Sequence, residues 1–152
     1  MCYDVDLCCT GSRREDIAIK NQPIRFREIV LAAPDIDAQI FSRAVPAIMG
    51  EATRVTLYAS AHDQALKASK EFNGFRRAGD SSEAIVVVDG MDTVDASAVD
   101  TSFLGHSYYG SDRSVLVDID NMFRTNAPPG DRFGIFPAMH DGKQYWRFAP
   151  ES

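Results

Sequence analysis

The sequence comprises 152 residues, 45% hydrophobic and 25% charged, with a formal net charge of −6. This is the composition of a single globular domain, not of a disordered, collagenous or coiled-coil chain. No run of large apolar residues is longer than Ile85–Val88, whereas a membrane span needs about 20. The acidic balance argues against a broad nucleic-acid-binding face.

The cysteines, Cys2, Cys8 and Cys9, crowd the extreme N-terminus. A disulfide framework would spread through the fold, and a zinc site would draw ligands from two clusters, so neither is expected, nor is any cofactor. The opening Met-Cys-Tyr-Asp-Val-Asp has early acids and no long apolar stretch. No secretory leader is read there, and the chain is expected in the cytoplasm.

Residues 1–22 carry no clear period; a short helix near Asp16–Asn21 is the one element suggested before Pro23 breaks the chain. Phe26–Ala33 centres on Ile29-Val30-Leu31 and is stopped by Pro34, as expected of a buried parallel strand. Asp35 or Asp37 is placed to cap a helix over Ala38–Met49, with Ile40, Phe41, Val45 and Ile48 on one face. Pro46 should kink or shorten that helix, and Gly50 should end it. Arg54–Ala59 reads as a second strand and Asp63–Phe72 as a helix closed by Asn73-Gly74. A polar loop leads to Ala84–Asp89, whose β-branched centre marks the third strand. The stretch from Gly90 to Tyr109 is irregular. A helix follows over Asp112–Arg124, broken by Pro128-Pro129-Gly130. Asp141-Gly142 between two apolar runs signals a hairpin within Arg132–Phe148.

Alternating strands and helices predict an α/β fold: a mostly parallel sheet flanked by helices, with a C-terminal β-hairpin. Active groups in such sheets sit beyond the carboxyl ends of the strands. Pro34-Asp35-Ile36-Asp37 follows the first strand and Ser60-Ala61-His62-Asp63 the second. A long loop with Asp92, Asp95 and Gly105-His106-Ser107-Tyr108-Tyr109 follows the third. An acid after one strand and a histidine after a later one is the chain order of an α/β-hydrolase triad, in which the carboxylate orients the imidazole that takes the serine proton. Each residue also has a plain structural reading. Asp63 fits a helix cap, His106 fits a turn beside Gly105, His62 reads as an exposed neighbour, and His140 falls in the hairpin. The nucleophile elbow Gly-x-Ser-x-Gly does not occur in the sequence. A base and its orienting acid are therefore legible without a nucleophile.

Several segments resemble a bacterial α/β-hydrolase family of unknown function, often described as esterase- or lipase-like. They are Ile29–Asp37, Arg54–Ser60 with Asp63, Asp92–Ser97, Gly105–Tyr109 and the closing Tyr145-Trp146-Arg147-Phe148. The resemblance spans about residues 17–150. It implies a carboxylic-ester hydrolase fold acting on small-molecule esters, with His106 as the triad histidine and Asp63 as the triad acid. Asp35, also at a strand end, is the runner-up. It further implies that residues 17–152 correspond to the C-terminal half of such a domain, residues 1–16 being a divergent segment. The serine elbow would then lie before the first visible strand.

Two expectations follow from that reading. The first strand should be left with an unpaired edge, which invites self-association or pairing with a missing N-terminal half. The isolated chain should be inactive toward esters. The competing reading is a catalytically inactive interaction module or remnant, with Asp35, Asp37, Asp92 and Asp95 forming an acidic rim that binds a cation or a partner.

Overall fold

The computed structural model describes residues 26–99 and 115–149. Five strands form one sheet in the order β1-β2-β3-β5-β4. β1 (Phe26–Ala32), β2 (Ala52–Ala59), β3 (Asp92–Asp95) and β5 (Lys143–Phe148) run parallel, and β4 (Ile135–His140) pairs antiparallel with β5. Three α-helices are described: α1 (Ala38–Gly50), α2 (Gln64–Asn73) and α3 (Val115–Thr125). The expected α/β architecture with a C-terminal hairpin is what forms.

Alternation along the strands feeds two cores. Ile29 and Leu31 of β1 and Val55 and Leu57 of β2 pack with Phe41 and Val45 of α1. On the other face Val30, Tyr58 and Val94 pack with Val115 and Ile119 of α3 and with Ile135 and Phe148 of the hairpin. The register Ile29↔Val55 and Leu31↔Leu57 keeps the first set on one side.

Local chemistry accounts for the element ends. The Asp37 carboxylate accepts from the N–H groups of Gln39 (2.8 Å) and Ile40 (2.9 Å), so Asp37 rather than Asp35 caps α1. Pro46 lies inside α1 without shortening it; the helix reaches Gly50, contrary to the shorter helix the proline suggested. In the hairpin turn, Asp141 (φ 49) and Gly142 (φ 75) both adopt the left-handed region that a two-residue type I′ connection requires.

The expected third strand, Ala84–Asp89, is not one. Ile85 and Val86 are buried, at 8% and 7% exposure, but the run joins no ladder. Val86 and Val88 complete the α1 core as an irregular wall. The chain then turns at Gly90 (φ 88), and Asp92–Asp95 takes the place beside β2. That strand needs only Thr93 and Val94 as its inward pair, at 1% and 0% exposure, so its flanking aspartates disguise it. The Thr93 hydroxyl donates to the Val86 carbonyl at 3.0 Å and ties the wall to the strand.

The two sheet edges differ. β4 carries Pro137, which removes one donor from its outer side. β1 pairs with β2 and with no other described strand.

Candidate active site

The carboxyl ends of β1, β2 and β3 lie side by side, and the loops beyond them are laced together. A ribbon at Arg77–Gly79 runs between the loops that follow β1 and β2. The Ala78 N–H donates to the Ile36 carbonyl (2.8 Å), the Gly79 N–H to Pro34 (3.1 Å), and the Ser60 N–H to the Gly79 carbonyl (2.9 Å). This contact requires glycine. A Cβ on residue 79 would stand 2.5 Å from the Ala33 carbonyl carbon and 2.7 Å from the Pro34 nitrogen. Ala33 itself adopts φ 44 as the chain leaves β1.

Each strand-end acid has partners. Both oxygens of Asp35 accept from the Ser69 hydroxyl of α2, at 2.8 and 3.0 Å, and Arg77 lies 3.1 Å away as a counter-charge. Asp63 accepts from the Leu66 N–H at 3.1 Å, the bond of a cap on α2. Asp95, which the sequence reading placed only on an acidic rim, accepts three hydrogen bonds at one oxygen. Its Oδ1 accepts from the Ser97 N–H (3.0 Å), the Ser97 hydroxyl (2.5 Å) and the Ser81 hydroxyl (3.1 Å). The Ser97 oxygen in turn accepts from the Ala61 N–H at 2.8 Å. A chain of bonds thus runs from the end of β3 to the loop that carries Asp63. No spacing rule could have exposed it, because residues 61 and 81 reach residues 95 and 97 only through the sheet. His106 lies outside the described residues, as do Gly105, Ser107, Tyr108 and Tyr109 and the three cysteines.

The proposed acidic rim does not assemble as one. Asp92 opens β3 while Asp95 closes it, and Asp37 is spent on the α1 cap. Among the described residues no group of three or more His, Cys, Asp or Glu side chains is arranged to hold a metal ion.

Beneath the loops, the α3 side of β2 buries a second polar cluster. The Tyr58 hydroxyl donates to Asp118 at 2.5 Å, and Arg132 Nη1 donates to both, at 2.9 Å each. Arg132 and Asp118 side chains are 1% and 4% exposed. Burial, joined by the Asp118 charge, lifts the Tyr58 phenol above its ordinary range. Burial also raises the Asp118 carboxyl, against the opposing pull of Tyr58 and Arg132. Nearby, Glu28 pairs with Arg54 at 3.1 Å on a side chain 1% exposed. Burial raises its carboxyl as well, more than Arg54 lowers it. These groups clamp β1, β2, α3 and the segment before β4 around the sheet.

A family model described as an α/β-hydrolase of unknown function (DUF900) matches residues 11–123. The chain belongs to this α/β-hydrolase family. The match includes Asp35, Asp63 and His106 and ends before the hairpin, so Tyr145–Phe148 lies beyond it. No curated protein and no solved structure gives a match. Among the described residues no helix is long and apolar enough to cross a membrane.

Proposed function

We propose that this chain carries the acid–base part of a serine α/β-hydrolase acting on small-molecule carboxylic esters, an esterase- or lipase-like activity. In this reading His106 takes the proton of the attacking serine, and Asp63 holds the imidazole in the correct tautomer and stabilises its charged form. The serine and its Gly-x-Ser-x-Gly elbow come from residues outside this sequence. The observation that carries the reading is Asp63 on the strand-end rim of a parallel sheet in a member of an α/β-hydrolase family. Asp63 is preferred to Asp35 because the family resemblance places the triad acid after the second strand, whereas Asp35 is bonded to Ser69 and Arg77. The Asp95–Ser97–Ala61 chain of bonds would set the position of the Asp63 loop.

The test has two stages. The purified chain should neither react with a fluorophosphonate probe nor turn over a short-chain chromogenic ester. Coding DNA upstream of Met1 should encode an apolar strand followed by the elbow. A polypeptide spanning both should be labelled, and Asp63→Asn should lower its kcat by about 10⁴-fold, with His106→Ala at least as damaging. Activity indifferent to Asp63→Asn but lost in Asp35→Asn would move the acid role to Asp35; indifference to His106→Ala would end the reading. The alternative is a catalytically inactive interaction module, favoured by the lack of any Gly-x-Ser-x-Gly in these 152 residues. Upstream DNA without an elbow would select it.

A further inference from the structure

Beside α1 lies a cleft of about 530 Å³, lined by Arg43 of α1, Arg76, the Ala84–Val87 run, and Asp141 and Lys143 at the hairpin tip. Two independent features distinguish it. The first is charge. In a protein of net charge −6, this lining sets three permanent cations against the single carboxylate of Asp141. Two of the cations are pre-placed: Arg76 donates to the Ala84 carbonyl at 2.6 Å, and Lys143 meets Asp89 at 3.1 Å. Arg43 is exposed and has no hydrogen-bond or ion-pair partner among the described residues.

The second feature is backbone. Residues 84–88 run without turn or bend, yet belong to no strand. The Val86 carbonyl accepts from Thr93 and the Val88 carbonyl from the Met91 N–H. The N–H groups of Ile85, Val86, Val87 and Val88 find no acceptor among the described residues. Val86 packs in the core beside α1 and Ile85 is buried, at 7% and 8% exposure, and the Ala84–Val87 run lines the cleft. Buried or half-buried amides without partners are costly. In an extended run alternate amides face the same side. The Val86 and Val88 carbonyls are taken by Thr93 and Met91, so the Ile85 and Val87 amides are the ones placed to pair with an added strand. Extended peptides bind proteins by adding to such an edge.

We propose that this cleft binds an extended acidic peptide, which adds as a strand along Ile85–Val88 while its carboxylates meet Arg43, Arg76 and Lys143. Main-chain hydrogen bonds would supply affinity independent of sequence, and the cations would select the sign of the partner's charge. A small inorganic anion would satisfy the cations but offer no line of acceptors to the amides of the run, so the backbone favours a peptide. Binding of this kind requires no hydrolysis and is separate from the strand-end acids.

The experiment titrates a short, capped peptide of alternating aspartate and valine into the full chain, with the lysine–valine counterpart as control. Amide hydrogen exchange reports the location. The acidic peptide should bind and slow exchange at residues 85–88, and the lysine peptide should not. Arg43→Glu, at an exposed position with no partner among the described residues, should weaken binding about tenfold while leaving the circular dichroism unchanged. Equal affinity for both peptides, indifference to Arg43→Glu, or protection elsewhere would overturn the proposal. Displacement by millimolar inorganic phosphate without protection at 85–88 would assign the cleft to small anions and also overturn it. So would protection that grows with protein concentration alone, which would give the edge to a second copy of the chain.

Discussion

Gly79→Ala tests the lacing of the strand-end loops most directly. The added Cβ would lie 2.5–2.7 Å from the main chain of Ala33 and Pro34, about 1 Å inside ordinary carbon–carbon contact. Neither neighbour is the tip of a flexible side chain, so the ribbon itself must move. Movement strains or breaks the bonds Gly79→Pro34, Ala78→Ile36 and Ser60→Gly79. At a net ~1 kcal/mol each, their complete loss would cost about 3 kcal/mol, and overpacking of a closed site costs about 1–3 kcal/mol. A destabilisation of about 2–3 kcal/mol is therefore expected, which for a chain of this length lowers Tm by roughly 4–12 °C. Urea unfolding followed by the fluorescence of Trp146, the single tryptophan, reads it out. Gly50→Ala is the matched control. It meets nothing within 4 Å and sits at the end of α1, so it should be neutral or stabilise by up to ~1 kcal/mol. A Gly79→Ala protein within about 0.5 kcal/mol of wild type would refute the close approach and the role given to the ribbon.

Two further outcomes are expected. Burial raises the carboxyl of Glu28 above its ordinary 4.5, and those of Asp92 and Asp118 above 3.8. A carboxyl raised in the folded state binds its proton more tightly folded than unfolded. The stability it contributes is thus full below the ordinary value and lost as pH climbs through the raised one. The urea midpoint should fall as pH rises above 4.5, and Glu28→Gln should make that fall shallower; an unchanged slope would show that Glu28 is not buried as described. At the sheet edge, β1 exposes Phe26 (55%) beside an outer row of backbone groups with no described strand against them, whereas β4 is blunted by Pro137. Sedimentation velocity at micromolar concentration should show association that Phe26→Lys reduces. A monodisperse monomer would count against an adhesive edge.

The amino-acid sequence by itself determined the class of fold and most of its elements. The Ile29-Val30-Leu31 run between Pro23 and Pro34, the Asp37 cap and the Asp141-Gly142 turn are local signals whose meaning hardly depends on distant residues. The strand-end aspartates were legible for the same reason: a parallel strand followed by a helix puts its connecting loop at one rim of the sheet. Tertiary structure decided what each acid does there. Asp35 and Asp63 look alike in sequence, but one is met by Ser69 and Arg77 and the other caps α2. It also decided the third strand. Ala84–Asp89 has the stronger β pattern, yet Asp92–Asp95 pairs with β2, because periodicity reports which side chains are buried and not which backbone finds a ladder. The ribbon at Gly79, the Ser81–Asp95 and Ala61–Ser97 bonds and the Tyr58–Asp118–Arg132 cluster join residues 14 to 74 positions apart in the chain. Such groups come within hydrogen-bond reach only when the sheet brings its strands side by side, and no local pattern encodes that meeting.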